Sequence, residues 1–368
     1  MDTSGDLQAQ ARQLVEELNA GVDQRIAAEL LASALGLITD RPDPLDLKIA
    51  AAAMTEMREA FAVFAPYRDI PKVTVFGSAR TQAHDPMYER AAQIASMLAE
   101  RGWMVVTGAG PGIMQAAMEG AGRERSIGVS IRLPFEQGAN PVIAGDEKYV
   151  SMKYFFTRKL MLVKESRAFV CLPGGFGTLD ETFELLTLTQ TGKGLPVPIV
   201  FLDIPSDPYW EAIDEMIRRQ LVERGLVAPA DRSLYLVTDS ADAAVREIDR
   251  FYANYHSIRY VGDFLILRLQ HEPTDAQLAE LNERFAHLVA RGSIERTAAL
   301  DIERRNDDHV ELPRIRFAFA KHHYGDLRAL IDLVNSFVPE DSSEVPSAPE
   351  GVPSPIRSVN PALDQPSS

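Results

Sequence analysis

The spacing of apolar positions changes twice along this chain, and each change marks a division. Over residues 1–70, the stretches Leu7 to Leu18, Gln24 to Leu37 and Leu45 to Phe64 carry apolar residues at mixed three- and four-residue intervals, punctuated by Pro42, Pro44 and Pro66. That spacing predicts a helical extension. From Lys72 the pattern becomes short β-branched runs: 72–76, 103–107, 127–131, 168–172, 198–202 and 234–238. Amphipathic stretches around 86–101, 111–124, 153–165, 178–191, 208–224 and 240–254 separate these runs. Strands that are apolar throughout and alternate with helices predict an α/β domain over 71–256, its parallel sheet covered on both faces.

After His256 the pattern reads strand (260–269), helix (275–290), two strands (297–304 and 312–320) and helix (324–337). This βαββα order predicts a small α+β module over 257–338. Residues 339–368 are rich in proline and serine and poor in large apolar side chains, so a disordered tail is expected there.

Composition narrows the partners. With 53 acidic against 38 basic residues the formal charge is −15. Such a surface argues against nucleic acid and anionic membranes, and an anionic ligand needs a locally basic or backbone-lined pocket. A single cysteine excludes a disulfide framework and any multi-cysteine metal cluster. No apolar run approaches the roughly 18 residues of a membrane span, and Met1 to Gln10 lacks a basic region leading into an apolar stretch. The expectation is a cytoplasmic protein.

In open α/β sheets, ligands sit beyond the carboxyl ends of the strands, against helix N-termini. Three strand–loop junctions qualify: Gly77-Ser78-Ala79-Arg80, Gly108-Ala109-Gly110-Pro111-Gly112 and Pro173-Gly174-Gly175-Phe176-Gly177-Thr178. The first has one glycine. The second has Ile113 where a dinucleotide fingerprint needs its last glycine, and neither carries the Lys-Ser/Thr pair of a triphosphate loop. Tight turns alone would account for the second. The third is more specific, because its glycines open a helix that at once carries Asp180 and Glu181. Those acids would also serve as plain stabilisers of the helix dipole. Arg158-Lys159 precedes the same strand and would supply a cationic fork beside it, while Glu136 would otherwise be an exposed loop acid. Helical spacing predicts core positions for Tyr154-Phe155-Phe156, with Tyr154 kept as a contact for a bound base. Cys171, in an apolar strand, reads as a packed thiol. No zinc or serine-hydrolase motif is present.

The set Gly77-Ser78, Gly108-x-Gly110-x-Gly112-x-Met114, Arg158-Lys159 and P-G-G-x-G-T-x-x-E (Pro173–Glu181) resembles the LONELY GUY family, phosphoribohydrolases long mislabelled as lysine decarboxylases. The likeness spans about residues 70–255. Phe155-Phe156-x-Arg158-Lys159 and Leu185-x-x-Leu188-x-Gln190-Thr191-Gly192 resemble its longer bacterial branch. The resemblance implies a Rossmann-like doubly wound sheet and release of the base from nucleoside 5′-monophosphates such as AMP or N6-modified, cytokinin-type AMP. It implies a catalytic carboxylate at Glu181 and a catalytic arginine at Arg158. Gly174, Gly175, Gly177 and Thr178 would hold the 5′-phosphate. Ser78, Gly110, Glu136, Lys159, Asp180 and, more weakly, Thr187 would be substrate contacts. No metal or organic cofactor is implied, since the sugar itself carries the developing charge, and the family assembles as at least a homodimer. A decarboxylase would need a Schiff-base lysine in a dedicated pocket, and no lysine here stands at a suitable strand end. The other class of reading is a non-catalytic carrier of a nucleotide or pterin cofactor on the same fold.

Overall fold

The computed structural model describes residues 3–18, 21–133 and 138–338. The expected tail and Glu136 lie outside them. The chain divides after Glu59 into two compact units. In the first, helices α1 (Thr3–Leu18) and α2 (Gln24–Thr39) pack through Ala11, Val15 and Ala28. Asp23 caps α2 by accepting from the Ile26 amide. Helix α3 (Pro44–Phe64) follows and runs across the division.

The second unit begins its sheet with β1 (Lys72–Phe76), then α4 (Pro86–Glu100), β2 (Met104–Thr107), α5 (Ile113–Ala121), β3 (Ser126–Ile131) and β4 (Tyr149–Met152). It continues with α6 (Phe155–Lys164), β5 (Ala168–Cys171), α7 (Phe176–Gln190), β6 (Ile199–Leu202), α8 (Tyr209–Met216), β7 (Leu236–Thr238) and α9 (Ala241–Phe251). All seven strands pair in parallel, in the order β4-β3-β2-β1-β5-β6-β7. β1, β2, β5 and β6 are buried along their whole length, as their apolar runs require with helices on both faces. The order reverses between β1 and β5, so the crevice beyond their carboxyl ends is the topological switch point of the sheet.

β4 is missing from the sequence reading. It is a four-residue edge strand with alternating burial and a polar serine, too short and too mixed to stand out as an apolar run. The expected helix over 208–224 ends its α-helical part at Met216 and finishes in a π-helical turn over Ile217–Val222.

The C-terminal module is α+β but departs from βαββα. The stretch predicted as one strand is a hairpin, β8 (Tyr255–Val261) and β9 (Phe264–Leu269), turning at Gly262 with φ +58°. Then come α10 (Asp275–Arg284), β10 (Val289–Arg296), α11 (Asp301–Arg305), β11 (Arg314–Phe319) and α12 (Tyr324–Ser336), the strands ordered β10-β11-β9-β8 and antiparallel. The strand expected over 297–304 is not formed: residues 297–300 are irregular and 301–304 begin α11. Glu303 on that helix is fully buried between Arg268 and Arg314, with its carboxylate 2.7 and 2.8 Å from them, and it also accepts from the Leu300 amide. A strand would aim it elsewhere.

The boundary expected at 256/257 falls inside β8. Leu265, Leu267, Ile315 and Phe317 of this second sheet join one apolar cluster with Val73, Val105, Val170 and Val200 of the first. Asn335 of α12 accepts from the Asn254 and Tyr255 amides and donates to the Phe251 carbonyl. Tyr324, at the start of α12, lies against Gly192 just past α7, where φ is +67° and any Cβ would overlap the phenol ring.

α4 and α5 approach so closely that a Cβ on Gly120 would run into the Ala92 backbone carbonyl. Gly120→Ala is therefore expected to lower stability by about 2–3 kcal/mol despite its better helix propensity. Thermal melting checks this, and an unchanged or higher Tm refutes it. Among the described residues, no helix is long and apolar enough to cross a membrane.

Candidate functional site

The three glycine-rich junctions meet at the switch point. After β1, the Ser78 amide donates to the Pro173 carbonyl at 3.1 Å, tying the first loop to the third. Gly174 has no room for a side chain: a Cβ would meet the Thr178 hydroxyl and come within 3.0 Å of the Ser78 nitrogen. The second loop locks onto the first from the other side. The Ile113 amide donates to the Ser78 carbonyl at 3.0 Å, and Gly112, at φ +66°, sits where a Cβ would overlap that oxygen. Within the second loop Ala109 holds φ +58°, an uncommon conformation for a residue with a Cβ. The Thr107 hydroxyl, accepting from the Ala109 amide, and Asn140, bonded to the Ala109 and Gly110 carbonyls, keep it there. Backbone strain over-determined in this way is characteristic of functional loops.

α7 starts at this junction with Gly175 as its N-cap and no side chain capping it. Nothing stands within 4 Å of the positions a Cβ would take at Gly175 or Gly177. The unpaired amides of the first turn and the positive end of the helix dipole therefore face open space, which suits an anion.

Arg158 and Glu181 come together beside that loop. The Arg158 Nε donates to the Val129 carbonyl of β3 at 3.1 Å. Its guanidinium passes over Gly108, where any Cβ would collide with it. Its Nη1 stands 3.6 Å from Glu181 Oε1. Glu181, in the second turn of α7, is only 7% exposed at its side chain. Among the described residues its buried Oε2 has no hydrogen-bond partner. Burial pushes this carboxyl up to about 7, against the opposing charges of Arg158 and Lys159 and with a smaller push from Glu184 and Asp180. A buried carboxylate with one oxygen unsatisfied is costly to fold, and such groups concentrate at reactive sites. An acid that titrates near neutrality can take or give a proton there.

Lys159 is fixed between Asp180 (2.8 Å) and Glu184 (2.9 Å). Burial pulls its ammonium down, but the two carboxylates outweigh that and hold it above the ordinary lysine value. Thr178 is buried beneath Gly174. Gly110 lies against the Met114 side chain. Thr187 is not brought to this cluster: it is exposed, bonds back to the Phe183 carbonyl, and lies six residues beyond Glu181, on another side of the helix. Cys171 is a free, fully buried thiol pushed up to about 12 by burial.

One expectation needs correcting. Phe155 and Phe156 are not core residues; they are 52% and 54% exposed. They form the first turn of α6 and stay exposed among the described residues. Tyr154 stacks on Phe156 at 5.4 Å and is partly exposed.

Two contributors escaped the sequence reading: Asn140 behind the second loop, and Tyr209, whose hydroxyl donates to the Gly174 carbonyl at 2.8 Å; Gly108, expected only as a turn and motif residue, is the floor beneath Arg158. The signal for Tyr209 was an aromatic residue just past the end of a parallel strand, on the ligand side of the sheet.

Comparison with known proteins adds the following. The family model described as "Possible lysine decarboxylase" matches residues 112–248. Cytokinin riboside 5′-monophosphate phosphoribohydrolase LOG7 of Arabidopsis thaliana is 28% identical over 178 residues, covering 47% of this chain and 79% of that protein. Cytokinin riboside 5′-monophosphate phosphoribohydrolase LOG of Oryza sativa subsp. japonica is 30% identical over 174 residues, covering 45% of this chain and 68% of that protein. Among solved structures, the Moco carrier protein from Chlamydomonas reinhardtii is 21% identical over 49% of this chain and 97% of its own, with a TM-score of 0.34.

Proposed function

Because the chain belongs to the LONELY GUY family of phosphoribohydrolases, we propose that it hydrolyses the N-glycosidic bond of nucleoside 5′-monophosphates, giving free base and ribose 5-phosphate. One observation carries the reading. Glu181 is a buried, half-satisfied carboxylate beside a guanidinium, one turn into a helix whose N-terminus suits a phosphate.

The amides of Gly174 to Thr178 receive the 5′-phosphate, which sets the ribose against Arg158 and Glu181. As the C1′–N bond breaks, its electron pair leaves with the base and positive charge spreads over C1′ and the ring oxygen. The Glu181 carboxylate stabilises that charge and accepts a proton from the water whose oxygen bonds to C1′, and the departing base takes up a proton, returned from Glu181 or through solvent, to leave neutral. Arg158 orients the nucleotide and offsets negative charge on the departing base. Ser78, Gly110, Lys159 and Asp180 line the substrate's surroundings.

Lys159, held charged between two carboxylates, is poorly suited to form an imine, which weighs against a pyridoxal-type decarboxylase. AMP and N6-modified AMP are both within the proposed range, because apolar pockets separate substrates by only about 1–3 kcal/mol per methylene. A homodimer, checked by light scattering, belongs to the same reading.

The test is to incubate the protein with AMP, isopentenyl-AMP and other monophosphates, with adenosine as the phosphate-free control, and chromatograph for free base. Release from monophosphates and not from adenosine is expected. Nucleotide binding without release from any of them would sink the hydrolase and favour a carrier.

A further inference from the structure

We propose that Tyr209 is a positioning residue whose hydroxyl sets the orientation of the Gly174–Gly175 peptide, and thereby the preference for substrates bearing a 5′-phosphate over bare nucleosides. This rests on the phosphate-binding role given above to the loop over 174–178.

The Gly174–Gly175 peptide has a glycine on each side. No side chain biases it, so on its own it could take either orientation. In one, the Gly175 N–H faces the space before α7; in the other, the Gly174 carbonyl oxygen does, and it would repel an anion. The Tyr209 hydroxyl, donating to Gly174 O at 2.8 Å, selects between them. Across a planar trans peptide the carbonyl and the following N–H point in opposite directions. With the oxygen drawn to Tyr209, the Gly175 N–H is turned away from that residue.

Tyr209 is itself well fixed. It opens α8, where both oxygens of the buried Asp203 accept from the Trp210 amide, at 3.0 and 2.9 Å, and one also accepts from Glu211 at 3.2 Å. The Trp210 ring stacks on Phe201 at 4.4 Å and meets the Tyr209 ring edge-on at 5.0 Å. Burial raises the phenol above its ordinary value, outweighing the contact with Gly174, which lowers it, and the charges of Asp203 and Asp207 add a smaller push upward, so it remains a donor across the physiological range. β6 is thus coupled through Asp203, the start of α8 and one hydroxyl to the loop after β5.

Tyr209→Phe keeps the ring and removes only the donor. In the full chain, calorimetric titration with ribose 5-phosphate is expected to show a Kd raised about tenfold, the size of one lost hydrogen bond. KM for AMP should rise by the same factor with kcat within about twofold, the pattern of lost uniform binding. Binding of adenosine, which lacks the phosphate, should not change. Tyr209→Met, also without a hydroxyl, must repeat the loss, and thermal melting confirms that both variants are folded. An unchanged Kd for ribose 5-phosphate overturns the proposal, and so does an equal weakening of adenosine or a fall in kcat with KM unaltered. Wild-type protein that binds ribose 5-phosphate yet releases no base would defeat the hydrolase reading, while the Kd comparison still decides the role of Tyr209. Wild-type protein that does not bind ribose 5-phosphate would overturn both.

Discussion

Glu181→Gln is expected to lower kcat for base release by about 10²–10⁴-fold while leaving ribose 5-phosphate affinity nearly unchanged, because it removes a proton acceptor and a charge but keeps the shape. The pH dependence is the sharper test. Only the carboxylate form of Glu181 can accept the proton, and burial holds this group up to about 7. Wild-type kcat/KM should therefore climb with pH and level off above about 7. An ordinary glutamate would place that limb about 2–3 pH units lower. The substrate phosphate also titrates, near 6, so the profile is compared with the pH dependence of ribose 5-phosphate binding. A limb near 4.5 with no further rise would refute the assignment.

The same shift has a stability consequence of definite sign. The folded protein keeps a proton on Glu181 that the unfolded chain has lost between about pH 4.5 and 7, so its stability falls as pH rises through that window. Glu181→Gln should match the wild type at low pH and exceed it above pH 7, by at most about 3 kcal/mol. The loss of a partner for Arg158 reduces that gain. Melting curves at pH 5 and pH 8 read the difference.

Arg158→Ala is expected to cost about 10²–10³-fold in kcat/KM and to move the acidic limb upward from about 7. The guanidinium is the largest of the influences that oppose burial at Glu181, so removing it lets the carboxyl rise further. Arg158→Lys should rescue little. The side chain donates through Nε to Val129, faces Glu181 with Nη1 and lies over Gly108 at once. A single ammonium cannot meet the three demands together. A limb that stays in place in Arg158→Ala would show that the two groups do not share a field.

The sequence disclosed the sheet's central strands because burial on both faces leaves few polar positions to blur the runs: Ile199 to Leu202 has none, and Val73 to Phe76 has only Thr74, whose buried hydroxyl is hydrogen-bonded to the Leu162 carbonyl and to Ser166. It disclosed the loops because close approach tolerates only glycine: the bare position at Gly112 is forced by the Ser78 and Ala79 backbone, and that at Gly174 chiefly by the Thr178 side chain. What stayed hidden depends on partners far apart in the chain. Glu303 gives no local sign that Arg268 and Arg314 will enclose it. The Gly262-Asp263 turn is a two-residue hairpin signal that the apolar residues on both sides of it mask. Phe155 and Phe156 have core-like spacing, but spacing alone cannot say whether the first turn of a helix is covered by another element. Tyr209 and Gly108 matter through single contacts with residues 35 and 50 positions away in sequence, and no periodicity reports those.

The contact of Tyr324 with Gly192 also has a meaning for synthesis. The glycine-rich loops and the helix bearing Glu181 leave the ribosome well before α12, by an interval on the order of ten seconds at ordinary elongation rates. During that interval the end of α7 lacks the Tyr324 ring that packs on Gly192, and the apolar cluster shared by the two sheets lacks Ile315, Phe317 and the residues of α12. The nascent chain thus carries Arg158 and Glu181 on an unfinished core. Chains stalled before residue 324 are expected to expose apolar surface of the kind that chaperones bind, which limited proteolysis of a truncated chain would read.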